Sequence, residues 1–136
     1  MAAATFEFEI VTPDKMLFAS SEATYVGFRA LSGNLGIKAK HLPIISTLDI
    51  APMKVEFLDG SVKEFAVCGG FLEMNGSKCT VLATIAEPGE DIDRARAEAA
   101  KERAEQRLHD QKADTDMARA ELALKRALTR LRVSKV

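Results

Sequence analysis

The sequence has few of the residue types that mark a specialised class of protein. There is no tryptophan, there are two cysteines, and 19 lysines and arginines nearly balance 20 aspartates and glutamates. The net charge of −1 gives no general affinity for nucleic acid or for an anionic membrane surface. No run approaches the ~20 apolar residues of a membrane-spanning helix. The first residues lack the basic and apolar segments of a signal peptide, so we expect a soluble intracellular protein.

The two cysteines are expected to be free thiols. The Asn75-Gly76 dipeptide predicts a two-residue hairpin turn, which would set Cys79 opposite Leu72. Cys68 would then lie about 13 Å further along its strand, too far for a disulfide. Free thiols are typical of a reducing compartment.

Motifs that indicate catalysis or metal binding are also missing. The two histidines, His41 and His109, stand in different halves of the chain, with no ligand cluster at metal-binding spacing. The glycine-rich segment 32–36 lies between predicted strands instead of opening a helix, so it does not predict a phosphate-binding loop. Cys68 precedes two glycines but has no matched base nearby. We therefore expect a non-catalytic protein.

Residues 1–87 show the alternation of apolar and polar residues that is typical of half-buried strands. The Asp59-Gly60 dipeptide predicts a hairpin that would place Glu56 opposite Lys63. Pro43 and Pro52 bracket a predicted connecting or edge strand. The predicted strands cover residues 5–11, 23–29, 44–51, 54–58, 61–67, 68–74 and 78–86. Short strands at this spacing predict an antiparallel β-sandwich.

Residues 88–136 follow a different pattern, because proline, glycine and aromatic residues are absent after Gly89 and helix formers dominate. The pattern breaks at residues 109–114, and Asp114, Thr115 and Asp116 supply a helix cap and first-turn acids. We predict helices over residues 91–108 and 115–132, packed as an antiparallel hairpin. The predicted fold class is therefore α+β, a β-sandwich domain (1–87) followed by a helical hairpin (88–136).

The apolar faces of this hairpin are thin. The faces consist of Ala97, Ala100, Ala104 and Leu108 on the first helix, and of Met117, Ala120, Leu124, Leu128 and Leu131 on the second. At about 0.8 kcal/mol for each buried methyl group, an alanine stripe contributes only a few kcal/mol. A hairpin that detaches and one that stays permanently docked both fit this composition.

Arginines concentrate in the helical half. Residues 119–136 carry six cationic side chains against one carboxylate, Glu121. Asp93, Arg96 and Arg103 share a face of the first helix, and Arg126 and Arg130 share a face of the second. If the two faces meet, the guanidinium groups suit a polyphosphate. The alternative is a pair of solvated faces with ion pairs such as Glu121–Lys125 and Asp93–Arg96.

Several segments together resemble the epsilon subunit of bacterial F-type ATP synthases: residues 11–14, 32–37, 66–73, 119–128 and 131–133. This family's complexes make ATP from ADP with a transmembrane proton gradient. The resemblance implies a rotor subunit at the cytoplasmic face of the bacterial cell membrane, with its sandwich on the gamma subunit and the c ring. It also implies that the helices, when extended, reach the alpha/beta catalytic head through the basic second helix and inhibit ATP hydrolysis.

The resemblance further implies a regulatory ATP site that holds the helices in the folded-down state. Residues 92–97 match the family motif Ile-Asp-x-x-Arg-Ala, and other matched positions supply supporting ligands. No residue of the pattern indicates a requirement for magnesium. The implied site residues are Glu87, Ile92, Asp93, Arg96, Ala97, Arg103, Arg126 and Arg130.

Two departures from the family pattern stand out. Residues 38–41 replace the usual Leu-Pro-Gly-His, which removes the Pro-Gly turn signal, and Asn34 replaces a common acidic residue near the c ring. A free-standing ATP-sensing module without a role in an assembly is the main alternative function. A generic coiled-coil adaptor is disfavoured because the helical run is short and broken. A chloroplast member is disfavoured because no transit peptide is evident.

Overall fold

The computed structural model describes residues 4–110 and 116–134, and it confirms a β-sandwich followed by two helices. The alternation of residues 6–11 places Phe6, Phe8 and Ile10 in the core, as expected for a half-buried strand. The elements are β1 (Phe6–Val11), β2 (Met16–Ala30), β3 (Gly33–Lys38), β4 (Ile44–Phe57), β5 (Val62–Met74), β6 (Lys78–Ala83), β7 (Ala86–Pro88), a 3₁₀ turn (Gly89–Asp91), α1 (Arg94–Asp110) and α2 (Met117–Val133).

The strands follow the order β1-β6-β5-β4-β2-β3, with β7 paired to β5 and β1 paired also to β2. The β1–β6 pair is parallel and the other pairs are antiparallel. One apolar cluster fills the space between the layers, with Phe8, Phe18 and Phe65 packed ring against ring. No helix of the described ranges has the length and apolar content that crossing a bilayer requires.

A bend at Gly69-Gly70 divides β5 into two parts. A Cβ atom at Gly70 would lie 2.1 Å from the carbonyl oxygen of Leu82, and the φ angle of Gly70 is +125°, so the position requires glycine. Before the bend, Ala66 and Cys68 are buried on the outer side where α2 packs on β4 and β5. After the bend, Phe71 points outward and is 54% exposed. The helices therefore cover one outer face of the sandwich.

The predicted register of the first hairpin is wrong by one residue. Glu56 lies opposite Val62, and Lys63 lies opposite Val55. The loop has three residues instead of two, because the N–H of Phe57 donates to the oxygen of Ser61. Gly60 closes it with a φ angle of +86°, a geometry typical of three-residue hairpin loops.

The predicted register of the second hairpin is wrong by two residues. Cys79 lies opposite Met74, not Leu72. The N–H of Asn75 donates to the oxygen of Lys78, so the two-residue turn is Gly76-Ser77, one position later than predicted. The side chain of Asn75 stabilises this turn by accepting hydrogen bonds from the N–H groups of Ser77 and Lys78. Both cysteines are free, as predicted, and both are buried.

Pro52 does not end a strand, so the prediction of an edge strand over residues 44–51 is wrong. Strand β4 runs through Pro52 and is central, between β5 and β2. The ladder between β2 and β4 is irregular from Gly27/Lys54 to Ala30/Leu48, and Pro52 falls in that interruption. Its missing N–H group therefore removes no regular ladder bond to β2.

The helices begin later than predicted because their caps lie further along the chain. The Asp93 carboxylate accepts a hydrogen bond from the N–H of Arg96 at 3.1 Å, and that of Asp116 from the N–H of Arg119 at 3.0 Å. The predicted caps Asp114 and Thr115 lie outside the described residues. The buried residues between the helices are mainly alanines: Ala97 and Ala104 of α1 with Ala120 and Ala127 of α2.

Candidate functional site

A cleft of about 400 Å³ lies where the sandwich meets the helical hairpin. The end of β7, the 3₁₀ turn, the first turns of α1 and the C-terminal half of α2 each contribute side chains. The lining residues are Glu87, Asp91, Ile92, Asp93, Arg96, Ala97, Ala100, Arg103 and Arg130. The cleft thus exists only while the hairpin is docked on the sandwich.

The α1 wall of the cleft follows from helical spacing. Asp93 caps α1 through the N–H of Arg96, which fixes its carboxylate at the first turn. Arg103 stands seven residues after Arg96, so the two guanidinium groups emerge on the same side two turns apart. Ala97 and Ala100 lie between them, and their small side chains leave the cleft open.

The α2 wall is held by an ion pair across the domain junction. The Nε atom of Arg130 lies 2.7 Å from Oε1 of Glu87, and both side chains are partly buried. This charge-assisted hydrogen bond ties α2 to the end of the last strand. Among the described residues, neither Arg96 nor Arg103 forms an ion pair, so their donors face the cleft without a carboxylate partner.

Seven of the eight residues implied by the family motif line this cleft: Glu87, Ile92, Asp93, Arg96, Ala97, Arg103 and Arg130. Arg126 does not line it. Its charge acts instead on Cys68, beneath α2. Asp91 and Ala100 line the cleft without having been predicted, although Ala100 lies one turn from Ala97 on the same face of α1.

The two ion pairs named for solvated helix faces, Glu121–Lys125 and Asp93–Arg96, do not form, although Arg94–Glu98 and Lys101–Glu105 pair along α1. Lys125 pairs with Asp49 of the sandwich instead of with Glu121, and Asp93 binds the backbone of Arg96 instead of its guanidinium group. Two basic side chains of α2, Lys125 and Arg130, therefore tie the hairpin to the sandwich.

Cys68 lies under α2 beside the cleft. Burial raises the pKa of its thiol, and the charges of Arg130 and Arg126 act in the opposite direction. No group of three or more His, Cys, Asp or Glu side chains within residues 4–110 and 116–134 is arranged to hold a metal ion.

Comparison with known proteins agrees with this two-part architecture. Residues 5–89 match the sequence model of the ATP synthase delta/epsilon chain beta-sandwich domain, and residues 90–135 match that of its long alpha-helix domain. The ATP synthase epsilon chain of Brevibacillus brevis is 47% identical over 127 residues, covering 93% of this chain and 96% of the relative. The chain belongs to the ATP synthase epsilon-chain family. As an epsilon chain, it is a non-catalytic subunit of the ATP synthase complex.

Another epsilon chain, from Desulforudis audaxviator, is 44% identical and covers 79% of this chain and 77% of its own length. A chain in the Euglena gracilis mitochondrial ATP synthase structure (OSCP/F1/c-ring) superposes with a TM-score of 0.79 at 21% identity, over 92% of this chain and 78% of that one. A chain in the Tetrahymena thermophila central stalk/c-ring structure superposes with a TM-score of 0.59 at 18% identity, over 98% and 96%. At these identities, the superpositions show that this chain and the two solved chains share a fold.

Proposed function

We propose that this epsilon chain is a rotor subunit of the central stalk of a proton-translocating F-type ATP synthase, at the cytoplasmic face of a bacterial cell membrane. Its sandwich binds the gamma subunit and the c ring and helps to transmit rotation. Its helices, when extended, restrain ATP hydrolysis by the catalytic head, and bound ATP favours the docked state. The observation that carries the regulatory part is the cleft built from both domains.

The position of the cleft connects binding with conformation. Arg130 comes from α2, Arg96 from α1 and Glu87 from the sandwich, so a ligand that contacts all three binds only the docked arrangement. A ligand that binds one of two conformations shifts the equilibrium toward it by its differential affinity. ATP in this cleft therefore holds the hairpin down.

The chemistry of the lining suits a nucleoside triphosphate. The guanidinium groups of Arg96, Arg103 and Arg130 offer planar, multiple donors to phosphate oxygens. Ile92 and Ala97 supply an apolar surface for the base. The volume of about 400 Å³ falls within the usual size of small-molecule sites.

The uncovered outer face of the sandwich supports the assembly role. Phe71 lies between Thr47 and Leu82 in adjacent strands, and Val11 continues the row. Phe71 and Leu82 are each more than half exposed, as is Ile45 nearby. An exposed apolar patch of this kind marks a protein-interaction surface. We assign it to the gamma subunit, because the hairpin occupies the opposite outer face.

The exposed cations of α2 support a role for the hairpin at the catalytic head. Arg119, Lys125 and Arg132 are exposed on α2. In the extended hairpin this surface meets an acidic segment of the head by charge complementarity.

ATP titration by calorimetry tests the proposed site. The wild-type chain should bind one ATP, and an Asp93→Asn/Arg96→Ala double variant should lose saturable binding. Asparagine keeps the helix-capping acceptor at position 93, so loss of binding reports the site instead of a frayed helix. An Arg107→Ala variant is the matched control, because Arg107 is an exposed arginine of α1 outside the cleft.

The absence of wild-type binding up to millimolar ATP would remove the nucleotide site from the proposal. Binding that the double variant retains would locate ATP elsewhere on the chain. In either case the arginines of the cleft would be reassigned to docking against the catalytic head.

A further inference from the structure

Helix α2 is tied to the sandwich at a second place, outside the nucleotide cleft. The Nζ atom of Lys125 lies 2.6 Å from Oδ1 of Asp49 on β4. The side chain of Asp49 is only 16% exposed. Neither residue lines the cleft that contains Glu87 and Arg130. The Asp49–Lys125 contact is therefore independent of any ligand in that cleft.

The sandwich itself prepares the Asp49 carboxylate. The N–H of Ile50 donates to Oδ1 at 2.8 Å, and Nε of Arg29 on β2 lies 3.4 Å from Oδ2. The hydrogen bond from Lys125 lowers the pKa of Asp49, so its carboxylate is charged at neutral pH. Because Ile50 and Arg29 belong to the sandwich, the acceptor keeps its orientation when the hairpin leaves.

The cluster of buried apolar side chains that joins hairpin to sandwich has three members in the described ranges. They meet across the junction, separate from the main core: Ala66 of β5, Ile92 before α1 and Val133 at the end of α2. The Asp49–Lys125 and Glu87–Arg130 ion pairs add to this cluster, so the loss of one pair changes the docked population.

We propose that Asp49 is a latch that holds the hairpin in the docked position through Lys125, whether or not nucleotide is bound. It is a positioning residue for the cleft, since it keeps Arg130 in place without contacting the ligand. The latch would set the fraction of molecules that are docked and therefore competent to bind nucleotide. Only this consequence for nucleotide binding rests on the proposed function.

The rate at which the Cys68 thiol is alkylated reports undocking of the hairpin. The side chain of Cys68 is 6% exposed beneath α2, whereas Cys79 is 0% exposed in the sandwich core. Undocking of the hairpin exposes Cys68 alone, and global unfolding exposes both thiols. When opening and closing are fast, the rate of alkylation follows the open population. N-ethylmaleimide labelling without nucleotide, resolved by peptide mass spectrometry, therefore separates the two events.

The Asp49→Asn variant should label at Cys68 about fivefold faster than wild type, as expected for the loss of a partly exposed ion pair, with Cys79 unchanged. Lys125→Gln should give the same acceleration, and the double variant no more than either single one. Lys78→Gln is the matched control: it breaks the Glu9–Lys78 ion pair within the sandwich, whose carboxylate is similarly buried at 18% exposure, and it should leave the Cys68 rate unchanged.

Equal Cys68 rates in wild type and Asp49→Asn would overturn the latch. So would an equally large acceleration in Lys78→Gln, or parallel acceleration at Cys79, because both would show a general loss of sandwich stability. None of these measurements uses ATP, so a failure of the latch is distinct from a failure of the nucleotide site.

Discussion

Lys40 adopts a backbone conformation that L-amino acids rarely occupy. Its φ angle is +64°, and it is the one non-glycine residue with positive φ in the described ranges. The turn around it is kept, because the N–H of Lys40 donates to the oxygen of Gly76 and the N–H of His41 donates to the oxygen of Lys38. The resemblance to the family pattern implies glycine at this position, and lysine preserves the turn at the cost of local strain.

Replacing Lys40 with glycine should therefore stabilise the chain. A residue other than glycine loses about 1–2 kcal/mol in the left-handed region, and the extra chain entropy of glycine offsets part of that gain. We expect Lys40→Gly to raise the free energy of unfolding by about 0.5–1 kcal/mol, measured by urea denaturation. Lys38→Gly, in the last residue of β3, should instead destabilise, and a destabilised Lys40→Gly would show that the turn is not strained.

At the scale of elements, the bend in β5 decides which face of the sandwich each half of the strand presents. Gly69 and Gly70 both have positive φ angles, of +82° and +125°. They differ in their surroundings: a Cβ at Gly69 meets nothing within 4 Å, whereas one at Gly70 would overlap the backbone of Leu82 on β6. A substitution at Gly69 therefore tests backbone strain alone, whereas one at Gly70 tests backbone strain together with steric overlap with β6.

We expect Gly69→Ala to cost about 1 kcal/mol, from strain alone, and Gly70→Ala to cost about 3 kcal/mol or more, because β5 and β6 must also move apart. Urea denaturation of the two variants measures both values. Equal costs would mean that β6 shifts freely, and would remove the argument that Gly70 fixes the close approach of these strands.

Most elements followed from local patterns, but β3 (Gly33–Lys38) and the first half of β2 were not predicted, and several details depended on contacts between distant segments. Asp59-Gly60 and Asn75-Gly76 each marked a hairpin correctly, yet a dipeptide determines neither the number of residues in the loop nor the residue at which the turn begins. Pro52 was read as a strand end because a proline blocks a regular ladder. The interruption that accommodates it arises from pairing with β2, far away in sequence.

The candidate site, like the fold, could be predicted from the sequence only in part. Spacing placed Arg96 and Arg103 on one face of α1, and the motif named the residues at its start. Spacing also put Arg126 and Arg130 on one face of α2, but only docking decides that Arg130 reaches Glu87 while Arg126 does not line the cleft. The Asp49–Lys125 contact joins residues 76 positions apart, so no local pattern indicates it.

At the scale of the whole molecule, the sandwich has two outer faces, of which the hairpin covers only one. The hairpin covers one through α2, and the other carries the uncovered row around Phe71. If the second face binds the gamma subunit, assembly and hairpin movement use separate surfaces. The hairpin can then leave its face without releasing the subunit from the stalk.

This separation gives the prediction that tests the molecule as a unit. Phe71→Asp places a charge at the centre of the uncovered face and should weaken capture of the co-expressed gamma subunit at least about thirtyfold, as for an interface hot spot. ATP binding should be unchanged, because Phe71 does not line the cleft. Leu122→Asp is the matched control: Leu122 is 48% exposed on α2, so gamma should be captured normally. Undiminished capture by Phe71→Asp would move the gamma interface to another surface, and loss of capture in both variants would make the hairpin part of it.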